Sequence, residues 1–141
     1  FIHLTRDPLV LFPSTRRLWQ SLDAVQGCQL PRHEHLDQYV LETLPRMYAG
    51  FEKQRAELDP ARIVDIRYED LVADPVRVVE GIYQQLKLGD FSQVRAILET
   101  YVRNQQPYET NRHELSPDVS AEVFRRWQRY FEQYGYSGSD Q

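Results

Sequence analysis

The sequence predicts an α/β fold with a parallel sheet, in a chain that is rich in helices. Two short apolar segments have the composition of buried strands, and two long helical segments separate them. Most of the remaining chain repeats apolar residues at three- and four-residue spacing, as amphipathic helices do. Strands that alternate with helices favour a parallel sheet. Because two strands are too few for a stable sheet, we expect the chain to be a fragment whose other strands precede Phe1.

The first strand and first helix are defined by a short apolar run and a capping signal. Phe1 to Thr5 is mostly apolar and predicts a buried strand. Asp7 is a good N-cap residue, and Pro8 is favoured at the first helical position. A helix should therefore run from Pro8 to about Leu22. Pro13 should kink this helix or restart it one turn later.

The second helix and second strand follow a loop. Gly27 and Pro31 indicate that the segment from Val25 to Arg32 is a loop. Apolar residues at helical spacing then predict a helix from about Glu34 to Glu57, which Asp59-Pro60 ends. The segment from Arg62 to Tyr68 is rich in β-branched residues and predicts the second strand.

Three further helices are predicted in the rest of the chain. Asp74-Pro75 repeats the cap signal and begins a helix that Gly89 closes. A shorter helix should extend from about Phe91 to Arg103, and a polar stretch follows it. Ser116-Pro117 begins the last helix, which ends at Gly135. We expect Trp19 and Trp127 to lie in the core.

Composition excludes several classes of protein. The 141 residues suit one domain, with an apolar fraction of 41% and a charged fraction of 27%. A net charge of -4 argues against nucleic-acid binding, which needs a basic surface. No apolar run approaches the roughly 20 residues of a membrane helix. Cys28 is the only cysteine, so we expect no internal disulfide and a cytoplasmic location.

Arg6 and Ser14 are the first candidate site residues. Arg6 comes where a strand ends, and Ser14 follows eight residues later in the next helix. In open α/β sheets ligands collect at the carboxyl ends of strands, and helix N-termini there attract phosphate through free N–H groups. Arg6 can add a bidentate grip and Ser14 a hydroxyl donor. The other interpretation of Arg6 is an ordinary surface or ion-paired residue.

Tyr68 is the second candidate. It ends the second predicted strand, so in a parallel sheet it lies at the same edge as Arg6. A tyrosine there can stack on a base or donate its hydroxyl to one. The alternative is a half-buried structural aromatic residue.

These segments together resemble the sulfotransferases that use 3′-phosphoadenosine 5′-phosphosulfate (PAPS). Arg6-Asp7-Pro8 with Ser14 resembles their 3′-phosphate-binding motif. Arg67-Tyr68-Glu69-Asp70-Leu71 with Asp74-Pro75 resembles their later strand-turn-helix motif. The segment from Tyr108 to Ser116 with the following helix resembles the C-terminal end of bacterial members. The match covers nearly the whole chain, in the same order and spacing.

The resemblance implies specific roles. Arg6 and Ser14 would bind the 3′-phosphate, Tyr68 would contact the adenine, and Arg112 would approach the nucleotide from the C-terminal segment. Glu109 stands where the family often has a lysine, so the resemblance does not extend to a phosphate contact there. The fold implied is the C-terminal portion of a P-loop-like three-layer domain that spans residues 1–141. PAPS would be the donor and 3′-phosphoadenosine 5′-phosphate (PAP) the product, with no metal.

The implied reaction is in-line transfer of a sulfuryl group to a hydroxyl or amine of a small-molecule, carbohydrate, lipid or peptide acceptor. The family's glycine-rich donor loop and its catalytic base lie upstream of the Arg6 motif, and this sequence has no such loop. We therefore expect the chain to be inactive alone. His3 is interpreted as structural, and His33-Glu34-His35 as solvated rather than metal-binding.

Two alternatives remain open at this stage. The first is another P-loop-class nucleotide enzyme, such as a small-molecule kinase, which would prefer ATP or ADP to a 3′-phosphorylated nucleotide. The second is a noncatalytic helical interaction module, which would bind no nucleotide and tolerate the loss of Arg6.

Overall fold

The computed structural model describes residues 1–29, 32–104 and 114–138. Helices and strands occur there in the order β1 (Ile2–Thr5), α1 (Pro8–Gln26), α2 (Leu36–Arg55), a 3₁₀ helix (Pro60–Arg62), β2 (Val64–Arg67), α3 (Tyr68–Ala73), α4 (Pro75–Leu86), α5 (Ser92–Asn104) and α6 (Pro117–Tyr134). The chain divides into two compact units. The first holds Phe1–Arg6 and the described part of Glu57–Asn111, and the second holds Asp7–Ala56 and the described part of Arg112–Gln141.

The first unit contains the sheet. β1 and β2 are parallel, as the sequence predicts, and their register pairs Ile2 with Val64 and Thr5 with Arg67. His3 Nδ1 lies 2.8 Å from Asp65 Oδ1 on the facing strand, so His3 has the structural role predicted for it. The helix-rich α/β fold with a small parallel sheet is therefore confirmed.

Helices α3 and α4 of the first unit contact β2. Gln85 on α4 donates from Nε2 to the carbonyl oxygen of Ile63, at 3.4 Å. The rings of Tyr83 and Phe91 meet with centroids 5.2 Å apart, which ties α4 to the segment that begins α5. Burial of apolar side chains is the main stabilising term here. Among the described residues of this unit, the buried apolar ones are Ile63, Val64, Ile82 and Phe91.

The second unit is a three-helix core of α1, α2 and α6. Its centre is aromatic: Phe12 and Trp127 meet edge to face with centroids 5.8 Å apart, and both are almost fully buried. Trp127 also donates from Nε1 to the carbonyl oxygen of Leu41, at 2.9 Å. In a regular helix that carbonyl would accept from residue 45, but Pro45 has no N–H. The indole of α6 thus supplies the bond that α2 lacks.

Side-chain caps begin three of the helices as predicted. Asp7 accepts from Leu9 N at 2.8 Å, Asp74 from Arg77 N at 3.1 Å and Ser116 from Val119 N at 3.4 Å. Each cap is followed by a proline, whose missing N–H costs nothing at the first helical position. Gly135 ends α6 with a left-handed φ of 69°, also as predicted.

Several details of the first helix and of the helix caps differ from the predictions. α1 continues through Pro13 as one helix and extends to Gln26 rather than Leu22. Lys87 rather than Gly89 closes α4, with a left-handed φ of 53°. The prediction that Trp19 lies in the core is wrong, because its side chain is 37% exposed.

The number of helices after β2 also differs. A short helix, α3, begins at Tyr68, so four helices follow β2 in the described part of the chain instead of three. Tyr68 therefore opens a helix instead of ending the strand. None of the helices that the structure describes is both long and apolar enough to cross a membrane.

Candidate functional site

The strand register brings Arg6 and Tyr68 to one edge of the sheet. Thr5 and Arg67 are the last paired residues of β1 and β2. Arg6 and Tyr68 directly follow these two residues in the chain, so both lie at the carboxyl edge of the parallel pair. This is the edge where α/β sheets bind ligands.

Arg6 and Tyr68 contact each other directly. The guanidinium carbon of Arg6 lies 4.6 Å from the centroid of the Tyr68 ring. Both residues are partly buried. A cation held over a ring is worth about 0.5–2 kcal/mol, so the contact restrains the direction of the guanidinium. It also covers one face of the ring, and a base could reach only the other face, the edge or the hydroxyl.

Hydrogen bonds outside the backbone ladder also join the two strands that lead to this pair. Thr5 is 1% exposed, and its hydroxyl donates to the carbonyl oxygen of Ile66 at 3.3 Å. Two residue pairs further back in the register, His3 and Asp65 join the two strands through their side chains. A charged group on such a support loses little additional freedom when it binds a ligand.

The N-terminus of α1 does not offer the free N–H groups that the sequence predicts. Leu9 N donates to the Asp7 carboxylate at 2.8 Å, and Val10 N and Leu11 N donate to the Asp7 carbonyl at 3.0 and 2.8 Å. Pro8 has no N–H to give. The expectation that this helix end grips a phosphate is therefore wrong, because Asp7 already uses the donors and places its own negative charge there.

Of the other two predicted site residues, Ser14 and Arg112, Ser14 does not belong to the first unit. Ser14 is a partly buried residue of α1, about 9 Å along the helix from Pro8, and belongs to the second unit. Arg112 and Glu109 lie outside the described residues. The structure therefore joins two of the four predicted residues, Arg6 and Tyr68.

Arg6 and Tyr68 differ in what they can bind. A guanidinium offers up to five donors in a planar fork and suits a phosphate, whereas a phenol ring offers an apolar face and one hydroxyl for an aromatic base. Both properties fit a nucleotide that carries a phosphate near its base. Within the described ranges, no three His, Cys, Asp or Glu side chains form a metal-binding group.

The comparisons with known proteins match this chain to sulfotransferases. Residues 1–93 match the sequence profile of a group described as the sulfotransferase family. The chain is 37% identical over 136 residues to the omega-hydroxy-beta-dihydromenaquinone-9 sulfotransferase Stf3 of Mycobacterium bovis, and equally to the protein of the same name from Mycobacterium tuberculosis. The alignment covers 96% of this chain and 35% of each relative, so the chain spans about a third of the relatives' length. No solved structure matches the chain.

Proposed function

The chain belongs to the sulfotransferase family, and from this premise we propose that it forms the nucleotide-binding part of a PAPS-dependent sulfotransferase. In this proposal Arg6 and Ser14 bind the 3′-phosphate and Tyr68 contacts the adenine. Arg112 is a further candidate for the nucleotide. The observation that carries the proposal is the Arg6–Tyr68 pair at the carboxyl edge of the sheet.

The chemistry of that pair supports the assignment. PAPS, when bound, supplies the sulfuryl group. The residues of this chain would hold and orient its nucleotide half, which turns the transfer into a reaction between positioned groups. Arg6 would form charge-assisted hydrogen bonds to the 3′-phosphate, and each such bond is worth about 1.5–3 kcal/mol. The Asp7 carboxylate at the start of α1 would repel an anion from the helix end, so the phosphate would bind to the Arg6 side chain.

The proposed domain is the C-terminal portion of a P-loop-like three-layer fold. β1 is the edge of a two-stranded sheet, yet Ile2 and Leu4 on one of its faces are 55% and 48% exposed. Parallel sheets are usually covered on both faces. Exposed apolar side chains on one face of β1 therefore favour a further layer that packs on this face in a larger domain. This chain aligns with only 35% of each relative, so the relatives are long enough to contain the other layers of such a domain.

For the acceptor we propose a hydroxyl carried by an apolar molecule. The relatives are named for a hydroxylated dihydromenaquinone, and this favours an alcohol over an amine. The cytoplasmic location expected from the single cysteine stays a prediction.

The proposal is tested by calorimetric titration of the full-length protein with PAP, ADP and 5′-AMP. We expect PAP to bind at least about tenfold more tightly than either comparator, because only PAP carries the 3′-phosphate. Equal affinity for ADP and PAP would contradict the proposal and favour a kinase-like enzyme. Absence of binding by a folded protein would favour an interaction module.

A further inference from the structure

An apolar groove lies between α2 and α6, within the second unit. It has a volume of about 60 Å³, and its walls include Pro45 and Ala49 from α2 and Trp127 and Arg129 from α6. None of its lining residues has a role in the nucleotide site proposed above. The groove is therefore a separate feature of the molecule.

The shapes of the two helices explain why this space exists. Pro45 and Ala49 are one turn apart on α2, so their short side chains lie on one stripe of the helix. α6 is bent at Trp127, whose φ of -109° and ψ of 16° are not helical. Protein interiors are otherwise closely packed, so a space of this size is a specific property of this helix pair.

One wall of the groove is held in place by contacts among tyrosines. The Tyr48 ring meets the rings of Tyr130 and Tyr134, with centroids 4.8 and 5.7 Å away. The Tyr134 hydroxyl also donates to Glu52 Oε1, which joins α6 to α2. Tyr130 and Tyr134 are buried. A small molecule that enters the groove thus meets a wall that is already formed, and binding orders few side chains.

Arg129 supplies a positive charge at the groove. Arg126, one turn earlier on α6, donates to Glu122 at 2.7 Å and lies 3.7 Å from Glu42, so its charge is balanced. In the described ranges no ion pair involves Arg129. A guanidinium presents a planar fork of donors that matches the two oxygens of a carboxylate. The groove thus combines an apolar space with a cation that can bind a carboxylate.

We propose that the groove binds a small carboxylate with a short branched alkyl end. The alkyl end fills the apolar space, and the carboxylate accepts hydrogen bonds from Arg129. A cavity of about 150 Å³ holds benzene, so in proportion the 60 Å³ of this groove holds about two to three carbon atoms, close to an isopropyl group. The inference goes beyond the proposed sulfotransferase function and does not depend on it, since it uses residues of the second unit alone.

The test is an NMR titration of the full-length protein with 3-methylbutanoate. The Trp127 indole lines the groove and donates from Nε1 to the Leu41 carbonyl, so its N–H signal reports whether the groove is filled. The signal is assigned by its loss in Trp127→Phe. Trp19 on α1 does not line the groove and is the reference. We expect a saturable shift of the Trp127 signal alone, and no shift, or an equal shift of Trp19, would overturn the proposal.

Two further probes separate the role of the charge from that of the alkyl end. 3-Methylbutanamide keeps the alkyl end but has no charge, and it should bind at least about tenfold more weakly, because it makes no charge-assisted hydrogen bond. Phenylacetate keeps the charge, but its ring is too large for the space, so it should also bind more weakly than 3-methylbutanoate. Tighter binding of phenylacetate would show unspecific apolar contact and contradict the proposal.

Arg129→Gln tests the assigned cation. The preference for 3-methylbutanoate over its amide should disappear, while the affinity for the amide persists. Arg125→Gln is the matched control, because Arg125 is on the same helix but pairs with Glu122 and does not line the groove. It should keep the preference. A preference that survives in Arg129→Gln would overturn the role of Arg129.

Ala49→Leu tests the assigned space. A leucine is well tolerated in a helix, and its larger side chain would fill the groove, so binding of 3-methylbutanoate should be lost. Ala121→Leu is the control, at an exposed position of α6 outside the groove, and it should bind as the wild type does. Undiminished binding by Ala49→Leu would contradict the proposal.

Discussion

Asp7 determines which groups can bind an anion at the junction between β1 and α1. Its side chain and carbonyl accept the three N–H groups of the first turn of α1, so an anion there depends on side chains. Arg6 is the nearest cation in sequence, and the ring of Tyr68 restrains its direction. At the scale of single residues, the candidate site is therefore a guanidinium on an aromatic support and not a helix end.

Tyr48 provides a prediction on pH at the same scale. Burial, together with Tyr130, Tyr134 and Glu52 nearby, raises the pKa of the Tyr48 hydroxyl well above its ordinary value of 10. The folded protein then keeps this hydroxyl protonated where the unfolded chain ionises. Stability from this group is complete below pH 10 and falls as the pH rises further, by up to about 1.4 kcal/mol per pH unit.

Urea denaturation between about pH 9 and 11.5 checks this prediction. The free energy of unfolding should fall more steeply above pH 10 in the wild type than in Tyr48→Phe. Tyr101→Phe is the control, because Tyr101 is exposed on α5, and it should follow the wild type. Identical slopes for all three proteins would contradict the prediction.

At the scale of elements, local signals explain which boundaries could be predicted. Asp-Pro and Ser-Pro pairs specify helix starts through contacts within three residues, so α1, α4 and α6 begin where the sequence predicts. α3 was not predicted because Arg67 precedes it without a side-chain cap. The Asp23–His33 pair joins residues ten apart across a loop, and no sequence period indicates such a contact. By contrast, parallel pairing alone predicts that Arg6 and Tyr68 share an edge.

Trp127 and Pro45 give a prediction about how α2 and α6 hold together. Trp127→Phe should lower the free energy of unfolding by about 2 kcal/mol or more, because it leaves the Leu41 carbonyl buried without its donor. Pro45→Ala restores an N–H that can donate to the same carbonyl within α2. The cost of Trp127→Phe should therefore be smaller in the Pro45→Ala background.

A double-mutant cycle by urea denaturation measures this coupling. We expect a coupling energy of about 1 kcal/mol. Its sign should be such that Trp127→Phe destabilises the protein less when residue 45 has a backbone N–H. Strictly additive effects would show that the indole contributes through packing alone.

At the scale of the whole molecule, the exposed face of β1 is the feature on which the proposed three-layer domain can be tested. Leu4 is 48% exposed here, but the proposed three-layer domain would cover it. In the full-length protein Leu4→Ala should then lower the free energy of unfolding by about 2–5 kcal/mol, as for a buried leucine. Ile97→Ala on α5, which is 71% exposed, is the control and should change it by less than about 0.5–1 kcal/mol. A small effect of Leu4→Ala would contradict the continued sheet.

The central claim, that Arg6 recognises a 3′-phosphate, is tested most directly by a cycle of two ligands and two proteins. PAP and 5′-AMP differ only by the 3′-phosphate, and calorimetry gives the affinity of each for the wild type and for Arg6→Ala. Arg77→Ala, which removes a surface arginine of α4, is the control. We predict that Arg6→Ala weakens PAP by at least about tenfold, or 1.4 kcal/mol, and leaves 5′-AMP nearly unchanged. An equal loss for both ligands, or no loss for either, would contradict the assignment of Arg6 to the 3′-phosphate.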